Sequence, residues 1–180
     1  GVRIPCPRSK NSVVMVPSAA TFLTALLPRS ATRTLPLAST ATPNGLARFD
    51  GRRFRRFTAV DTPGLPHSGI SSLALGRDSR LWVGLNHGGI RLMRDGQVVA
   101  SPEAAAFPAD NSAVDLLVDR HDVLWAATPQ GLWRLARGSA KQVRSGDIRS
   151  LALAGDVLWV RTRNDGLWKI EGDRISAPPD

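Results

Sequence analysis

One segment is repeated three times in this chain: it begins with a Leu-Trp pair, continues through a polar turn to a Gly, and ends in a second apolar run. The copies begin at Leu81, Leu124 and Leu158 and read LWVGLNHGGIRLM, LWAATPQGLWRL and LWVRTRNDGLWKI. A pattern repeated every few tens of residues indicates a fold built from similar units in series. Apolar residues flank the polar turn on both sides, so each copy predicts a strand, a turn and a second strand.

Each unit contains two further apolar stretches, one before the Leu-Trp pair and a weaker one after a second turn. The preceding stretches are carried by Ile70, Leu73 and Leu75, by Ala113, Leu116 and Val118, and by Ile148, Leu151 and Leu153. The second turns are Asp95-Gly96, Arg137-Gly138 and Glu171-Gly172. Four short strands in units spaced 43 and 34 residues apart are the signature of β-propeller blades. The sequence therefore predicts an all-β fold, an incomplete β-propeller of about three four-stranded blades plus a partial first blade.

The blades are predicted at 41–66 (partial), 67–101, 110–144 and 147–177, after an irregular or signal-like segment at 1–40. The string TPNGLARFDG from Thr42 aligns with TPQGLWRLARG from Thr128, but Ser39 stands where the Trp belongs. Three interpretations of residues 1–40 stay open: a secretory signal or its remnant, a membrane span, or sequence that is not native-like, such as a mistranslated or truncated blade. We expect no paired strand within residues 12–27, and we expect a fragment of a propeller that does not close into a ring.

The net charge of +9 is confined to one part of the chain. Residues 1–60 hold ten Lys or Arg and one acid, whereas residues 61–180 hold fourteen of each sign. The repeats are therefore neutral, and no nucleic-acid partner is expected. The basic cluster RRFRRF at residues 52–57 favours an outer strand with Phe54 and Phe57 turned to the blade body, with a phosphate or anionic-lipid patch as the alternative.

The sequence contains no pattern typical of a catalytic or metal site. Gly88-Gly89 lies between strands rather than before a helix, and no Gly-x-Ser-x-Gly elbow is present. His67, His87 and His121 have no partner at metal-ligand spacing, and Cys6 is the one cysteine. We therefore predict no enzyme activity in this chain, no cofactor and no metal.

The tryptophans are predicted to be mainly structural. Trp82, Trp125 and Trp159 share one position of the repeat, which indicates packing between blades. Trp133 and Trp168 follow the turn Gly in two copies only, so exposed rings that stack on carbohydrate are an alternative for them. The repeat glycines are Gly45, Gly89, Gly131 and Gly166.

Strand direction predicts where a ligand would bind. In a four-stranded antiparallel blade, the loop between strands two and three emerges on the same side as the link to the next blade. Recognition residues usually lie on loops held by a rigid scaffold. The candidate ligand-binding residues on that side are His67, Asn86, His87, Asp110, Asn111, Gln130, Arg163, Asn164 and Asp165.

The stretch from Gly45 to Ser176, with GLARFDGRRFRRFTAVDTPGLPHSGISSLALGRDSRLWVG and its two echoes, resembles the two-component regulator propeller repeats. Asp119 and Thr128 keep the family pattern. Gly76 replaces the Asp and Leu85 the Thr in the first full copy. Ser79 and Asp122 replace the turn Gly, and Arg161 replaces a small residue.

The resemblance implies a non-catalytic, ligand-sensing module on the periplasmic side of a bacterial inner-membrane protein. Such repeats form the input domains of histidine kinases, hybrid sensors and some diguanylate cyclases. The partners implied are a small polar ligand or a partner domain and the remaining blades, with a membrane contacted only through other parts of the protein. Two alternatives stay open: a propeller lyase of the streptogramin-inactivating type, for which His87 is the sole candidate base, and a purely protein-binding propeller.

Overall fold

The computed structural model describes residues 13–15, 38–42, 45–49, 52–65, 69–77, 79–172 and 174–177. Within these residues the chain forms sixteen strands and one short helix, and the strands make four antiparallel sheets of four strands each. The prediction of an all-β fold made of propeller blades is confirmed. In each sheet the strands lie in chain order, as the repeat pattern requires.

The elements have the following bounds. Blade one contains β1 (Val13–Met15), β2 (Ala38–Thr42), β3 (Gly45–Phe49) and β4 (Phe54–Phe57). Blade two contains β5 (Ile70–Leu75), β6 (Leu81–Leu85), β7 (Ile90–Arg94) and β8 (Gln97–Val99), and the helix α1 (Pro102–Ala106) follows it. Blade three contains β9 (Asp115–Val118), β10 (Leu124–Thr128), β11 (Gly131–Ala136) and β12 (Ser139–Ser145). Blade four contains β13 (Ile148–Ala154), β14 (Val157–Thr162), β15 (Leu167–Glu171) and β16 (Arg174–Ser176).

The first blade has more strands than the sequence indicated. Val13–Met15 pairs antiparallel with β2, so the expectation of no paired strand within residues 12–27 is wrong. The apolar, β-branched pair Val13-Val14 suits a strand, and the partner strand supplies the backbone hydrogen bonds. Ser39 is the second residue of β2, opposite Arg48, as Trp125 is the second residue of β10, opposite Arg134. The rest of the predicted signal-like segment lies largely outside the described residues.

Tight hairpin turns join the third and fourth strands. Asp95 and Gly96 have φ of 51° and 82°, and Arg137 and Gly138 have φ of 51° and 76°. Two successive left-handed residues are what a two-residue hairpin with the right-handed twist of its strands requires, and Asp-Gly favours them. Gly96 also faces the Phe57 ring of blade one, where a Cβ would lie 2.8 Å from a ring carbon.

Three apolar clusters fill the spaces between successive blades. The first joins Leu46 and Phe57 of blade one to β5, β6 and β7, and the second joins Trp82 to β9 and β10. The third places Trp125 of blade three against residues of blade four such as Leu158. Trp82 and Trp125 are 5% and 6% exposed, which confirms that they pack between blades. Trp159, in the last blade, is only half-buried.

Polar contacts join the first strands of successive blades. The Ser71 and Ser72 hydroxyls donate to the Ala113 carbonyl at 2.7 and 2.6 Å, and the Leu151 N–H donates to Asp115 Oδ2 at 2.8 Å. Each first strand therefore lies beside the next one, as around the axis of a propeller.

The basic strand β4 differs in part from the prediction. Phe57 is buried at 3% exposure, with the guanidinium groups of Arg48 and Arg55 over its ring at 6.0 and 5.0 Å. Phe54 is 69% exposed and does not reach the blade body. Phe54 and Phe57 are three residues apart, and side chains of a strand alternate between faces, so the two rings point to opposite sides.

Helix α1 is held at its N-terminal turn by two side-chain hydrogen bonds. The Ser101 hydroxyl caps it by accepting from the Ala104 N–H at 3.3 Å, and Glu103 Oε1 accepts from the Gly138 N–H at 2.8 Å. Partial burial favours the protonated form of Glu103. Hydrogen bonds from its own N–H, from Gly138 and from the Ser101 hydroxyl outweigh that effect and lower its pKa.

Candidate functional site

The loops between second and third strands lie beside the links between blades on one side of the molecule. The His87 N–H donates to Ser112 Oγ at 3.0 Å, and the Gly89 N–H donates to the Asn111 carbonyl at 3.0 Å. His87 and Gly89 adopt φ of 52° and 71°, the left-handed conformation that closes this loop. The strand directions predicted this arrangement. We call this side the loop face; it consists of residues 86–89, 108–112, 129–130, 146–147 and 163–166.

The same arrangement recurs between blades three and four. The Gly146 N–H donates to the Gln130 carbonyl at 3.2 Å, and the Arg163 N–H donates to the Asp147 carbonyl at 2.8 Å. Each loop is thus bonded through its backbone to the link next to it. A rigid backbone of this kind holds side chains at fixed positions, which favours recognition.

In each of two of these loops, a buried threonine stabilises the turn. The Thr128 hydroxyl accepts from the Gln130 and Gly131 N–H groups at 3.2 and 2.9 Å and donates to the Gly131 carbonyl at 2.8 Å. Thr162 makes the matching bonds to Asp165 and Gly166. Serine and threonine hydroxyls commonly stabilise turns in this way. A Thr at this position of the repeat therefore has a structural role.

Most of the predicted ligand-binding side chains are accessible on the loop face. Asn86, His87, Asp110, Gln130, Arg163, Asn164 and Asp165 are exposed, Asn111 is 9% exposed, and His67 lies outside the described residues. The structure brings His87 to the link after blade two and Arg163 to the link after blade three. Their role in binding stays a prediction.

A charged group on the loop face was missed by the sequence analysis. Asp147 Oδ2 lies 2.6 Å from Arg149 Nη2 and 3.7 Å from Arg163 Nη1. Asp147 Oδ1 is buried and accepts no hydrogen bond from the described residues. A buried carboxylate oxygen without a donor carries a desolvation cost. The sequence signal was weak, because Asp147 stands in a short polar link.

The candidate stacking tryptophans are engaged inside the protein. The Arg144 guanidinium lies 3.8 Å from the centroid of the Trp168 ring, and Arg144 Nη2 is 3.3 Å from Asp165 Oδ2. Trp133 packs edge-to-face on Phe107, with ring centroids 5.5 Å apart. One face of Trp168 is therefore already covered, which weakens the carbohydrate-stacking alternative for that ring.

The turns between first and second strands form the opposite side, which we call the turn face; among the described residues it consists of 76–77, 79–80, 119–123 and 155–156. The Arg77 N–H donates to Asp122 Oδ1 at 3.2 Å, and Arg80 forms an ion pair with Asp122. Arg120 forms an ion pair with Asp156 of the next blade. Contacts between successive blades thus continue along this face.

Asp119 organises the turn of blade three. Its Oδ1 accepts from the His121 and Val123 N–H groups at 2.8 and 3.0 Å, and its Oδ2 accepts from Trp125 Nε1 at 3.0 Å. In blade two, Gly76 holds the equivalent position and its own N–H bonds to the Arg80 carbonyl. An Asp at this position of the repeat therefore caps the turn and also satisfies the buried tryptophan.

Asp115 is the titratable group most affected by packing between blades. Burial raises its pKa above the usual value of 3.8, and hydrogen bonds from the Leu151 and Leu116 N–H groups offset part of that rise. Both of its oxygens accept backbone bonds, at 2.8 and 2.9 Å. Asp115 is therefore a connection between blades three and four rather than a free acid.

The described residues show no arrangement typical of acid–base or metal catalysis. The His121 ring accepts from Arg120 Nε at 3.1 Å, and no hydrogen bond of the His87 ring to another described residue is found. No three His, Cys, Asp or Glu side chains in the described part of the chain are grouped to hold a metal ion. No helix within the described ranges is long and apolar enough to cross a membrane.

No protein-family model matches the chain, and no curated protein is similar in sequence. Solved structures do resemble it. The extracellular domain of a protein described as a one-component system, from B. thetaiotaomicron, is similar with a TM-score of 0.66 and 23% identity. The match covers 80% of this chain and 21% of that one. The extracellular domain of a hybrid two-component system from the same organism is similar with a TM-score of 0.62 and 19% identity, over 81% and 20% of the two chains.

A third similar structure is an inactive H270A variant of virginiamycin B lyase from Staphylococcus aureus, with a TM-score of 0.56 and 16% identity, over 77% and 51% of the two chains. At these identities the likeness shows a shared fold. The chain spans about one fifth of the length of the two extracellular domains. The two structures with the higher scores are extracellular domains of signalling systems, which agrees with the propeller repeats that the sequence resembles.

Proposed function

We propose that this chain supplies consecutive blades of a ligand-sensing, non-catalytic β-propeller in the input domain of a membrane-bound signalling protein. The resemblance to two-component regulator repeats and the likeness to two extracellular domains of signalling systems support this proposal. By the same reasoning, the blades lie on the periplasmic side of a bacterial inner membrane. The remaining blades would belong to other parts of the same protein.

The observation that carries the proposal is the construction of the loop face. Backbone bonds from His87 to Ser112 and from Arg163 to Asp147 fix the loops of one blade to the link beside them. The exposed side chains on these loops are polar, and Asp147 Oδ1 is a buried acceptor without a donor among the described residues. Rigid loops with several exposed polar side chains suit a small polar ligand.

A binding experiment on the complete protein tests the proposal. Thermal shifts are recorded with a panel of L-amino acids, monosaccharides and disaccharides, and any probe that stabilises the protein is titrated by calorimetry. His87→Ala and Asn164→Ala should weaken binding by about tenfold each, the effect of losing roughly 1.4 kcal/mol. Gln97→Ala, at an exposed position in β8, is the matched control and should bind as the wild type does. Unchanged affinity in both loop variants would remove the loop face from consideration.

The location is tested separately. A fusion of alkaline phosphatase to the end of blade four in the complete protein should be active, because that enzyme folds only outside the cytoplasm. An inactive fusion, together with an active cytoplasmic reporter at the same position, would contradict the periplasmic location. This result does not depend on whether a ligand has been found.

A further inference from the structure

A cavity of about 290 Å3 opens between blades three and four on the turn face, opposite the candidate loop face. The turn around Arg120 bounds it on one side, and Gly155 and Asp156 bound it on the other. Its apolar wall is made by Trp125, Leu158 and other packed residues of the two blades. Its volume is at the low end of small-molecule sites, which are roughly 300–1,000 Å3, and therefore suits a compact ligand.

Most of the polar groups around this cavity are already paired. Asp119 uses both oxygens to accept N–H groups, including the Trp125 indole. Arg120 is paired with Asp156 and donates to the His121 ring. Arg120 and Asp156 neutralise each other, and Asp119 keeps its negative charge but has both oxygens occupied by N–H donors.

Arg134 is the exception at this cavity. Its side chain lines the cavity from β11, directly across the strand pair from Trp125. It is exposed, and the structure shows no ion pair or hydrogen bond of its guanidinium with any described residue. The equivalent residue in blade four, Lys169, is paired with Glu171 at 2.7 Å. Blade three thus has an unpaired cation next to an apolar wall.

We propose that this cavity binds a small organic anion that has an apolar, flat body and a carboxylate group. The body would pack against Trp125 and Leu158, and the carboxylate would accept two parallel hydrogen bonds from the Arg134 guanidinium. Arginine is well suited to this geometry because its planar fork matches a carboxylate. This site does not depend on the proposed sensing role, because it lies on the other face and uses different residues.

The test uses phenylacetate as the probe and phenylacetamide as its uncharged match, added to the full chain. Binding is followed by the NMR resonance of the Trp125 indole N–H, assigned from triple-resonance spectra. Phenylacetate should shift this resonance in a saturable way, and phenylacetamide should bind at least about tenfold more weakly. Arg134→Gln should weaken phenylacetate binding by about tenfold and bring the two probes to similar affinity.

The matched control is Arg94→Gln, an exposed strand arginine of blade two that does not line the cavity. It should leave the affinity for phenylacetate unchanged, and near-UV circular dichroism should show that both variants keep the native packing. The proposal is overturned if wild-type protein gives no saturable shift up to tens of millimolar phenylacetate. It is also overturned if Arg134→Gln and Arg94→Gln bind phenylacetate equally well.

Discussion

Replacing Asp119 with Ala should destabilise blade three more than its half-buried position in a turn suggests. The substitution removes the acceptor of three hydrogen bonds: two from backbone N–H groups of the turn and one from the Trp125 indole. Water can replace Asp119 as the acceptor for the two backbone N–H groups. The indole belongs to a side chain that is 6% exposed, so its N–H would lose its partner inside the protein.

The magnitude follows from these three bonds. An unsatisfied buried donor costs about 1–3 kcal/mol, and each hydrogen bond to a charged acceptor contributes about 1.5–3 kcal/mol before water replaces it. Since water replaces two of the three, we expect Asp119→Ala to lower the free energy of unfolding by about 3 kcal/mol. Asp119→Asn should recover only part of this loss, because its amide nitrogen cannot accept from the indole.

The assay is urea denaturation of the full chain, monitored by tryptophan fluorescence. The slope of unfolding free energy against urea concentration should be equal in the variants that are compared. Asp156→Ala is the control, because Asp156 is a turn carboxylate of the next blade whose pair with Arg120 is solvent-exposed on both sides. Exposed ion pairs contribute about 0–1 kcal/mol. If Asp119→Ala costs no more than Asp156→Ala, the bond to the Trp125 indole does not matter for stability and the reasoning is wrong.

Four further outcomes are expected. Trp125→Ala should lower the free energy of unfolding by about 3–5 kcal/mol, whereas replacement of the half-buried Trp159 by Ala should lower it clearly less. Urea denaturation compares the two variants, and equal losses would contradict packing of Trp125 between blades. Asp115 has a raised pKa in the folded protein, so its contribution to stability is lost as pH rises from 3.8 through the raised pKa. Asp115→Asn should flatten that decline in unfolding free energy, and an unchanged pH profile would argue against the shift. Glu103 has a lowered pKa in the folded protein, so its contribution to stability is lost as pH falls below the ordinary pKa of 4.5. Glu103→Gln should remove this loss of unfolding free energy in acid. A variant that still loses stability in acid would show that another group is responsible. Ser79→Gly should raise the unfolding free energy by up to about 1 kcal/mol, because Ser79 has φ of 59°; a loss of stability would show that the left-handed backbone is not strained there.

The features that depend on neighbours in the sequence could be predicted. The strands were identified by the Leu-Trp pairs, and the turns by Asp95-Gly96 and Arg137-Gly138. Period-two apolar patterns and left-handed turn residues are both local signals. Strand direction alone also placed His87 and Arg163 on one side, beside the links. Asp122 occupies a turn position with φ of 62°, where Gly is favoured.

The features that depend on the packing of one blade on the next could not be predicted. Asp115 bonds to Leu151, 36 residues away, and nothing in the local pattern distinguishes it from an exposed acid. The cavity at Arg134 likewise exists only where two turns from different blades meet. The pairing of Val13–Met15 with β2 was missed because more than twenty residues separate the strands, and the pattern between them indicated no connection.

Hydrogen exchange at the Leu151 amide is the most direct test of propeller packing. Leu151 lies in β13, an edge strand of its own sheet, and its N–H points away from β14 to Asp115 of blade three at 2.8 Å. If the blades pack in series, this amide should exchange slowly in the wild type and much faster in Asp115→Ala, while Val160 in the middle of the sheet is unchanged. Fast exchange at Leu151 in the folded wild type, with Val160 protected, would show that blades three and four do not pack through their first strands.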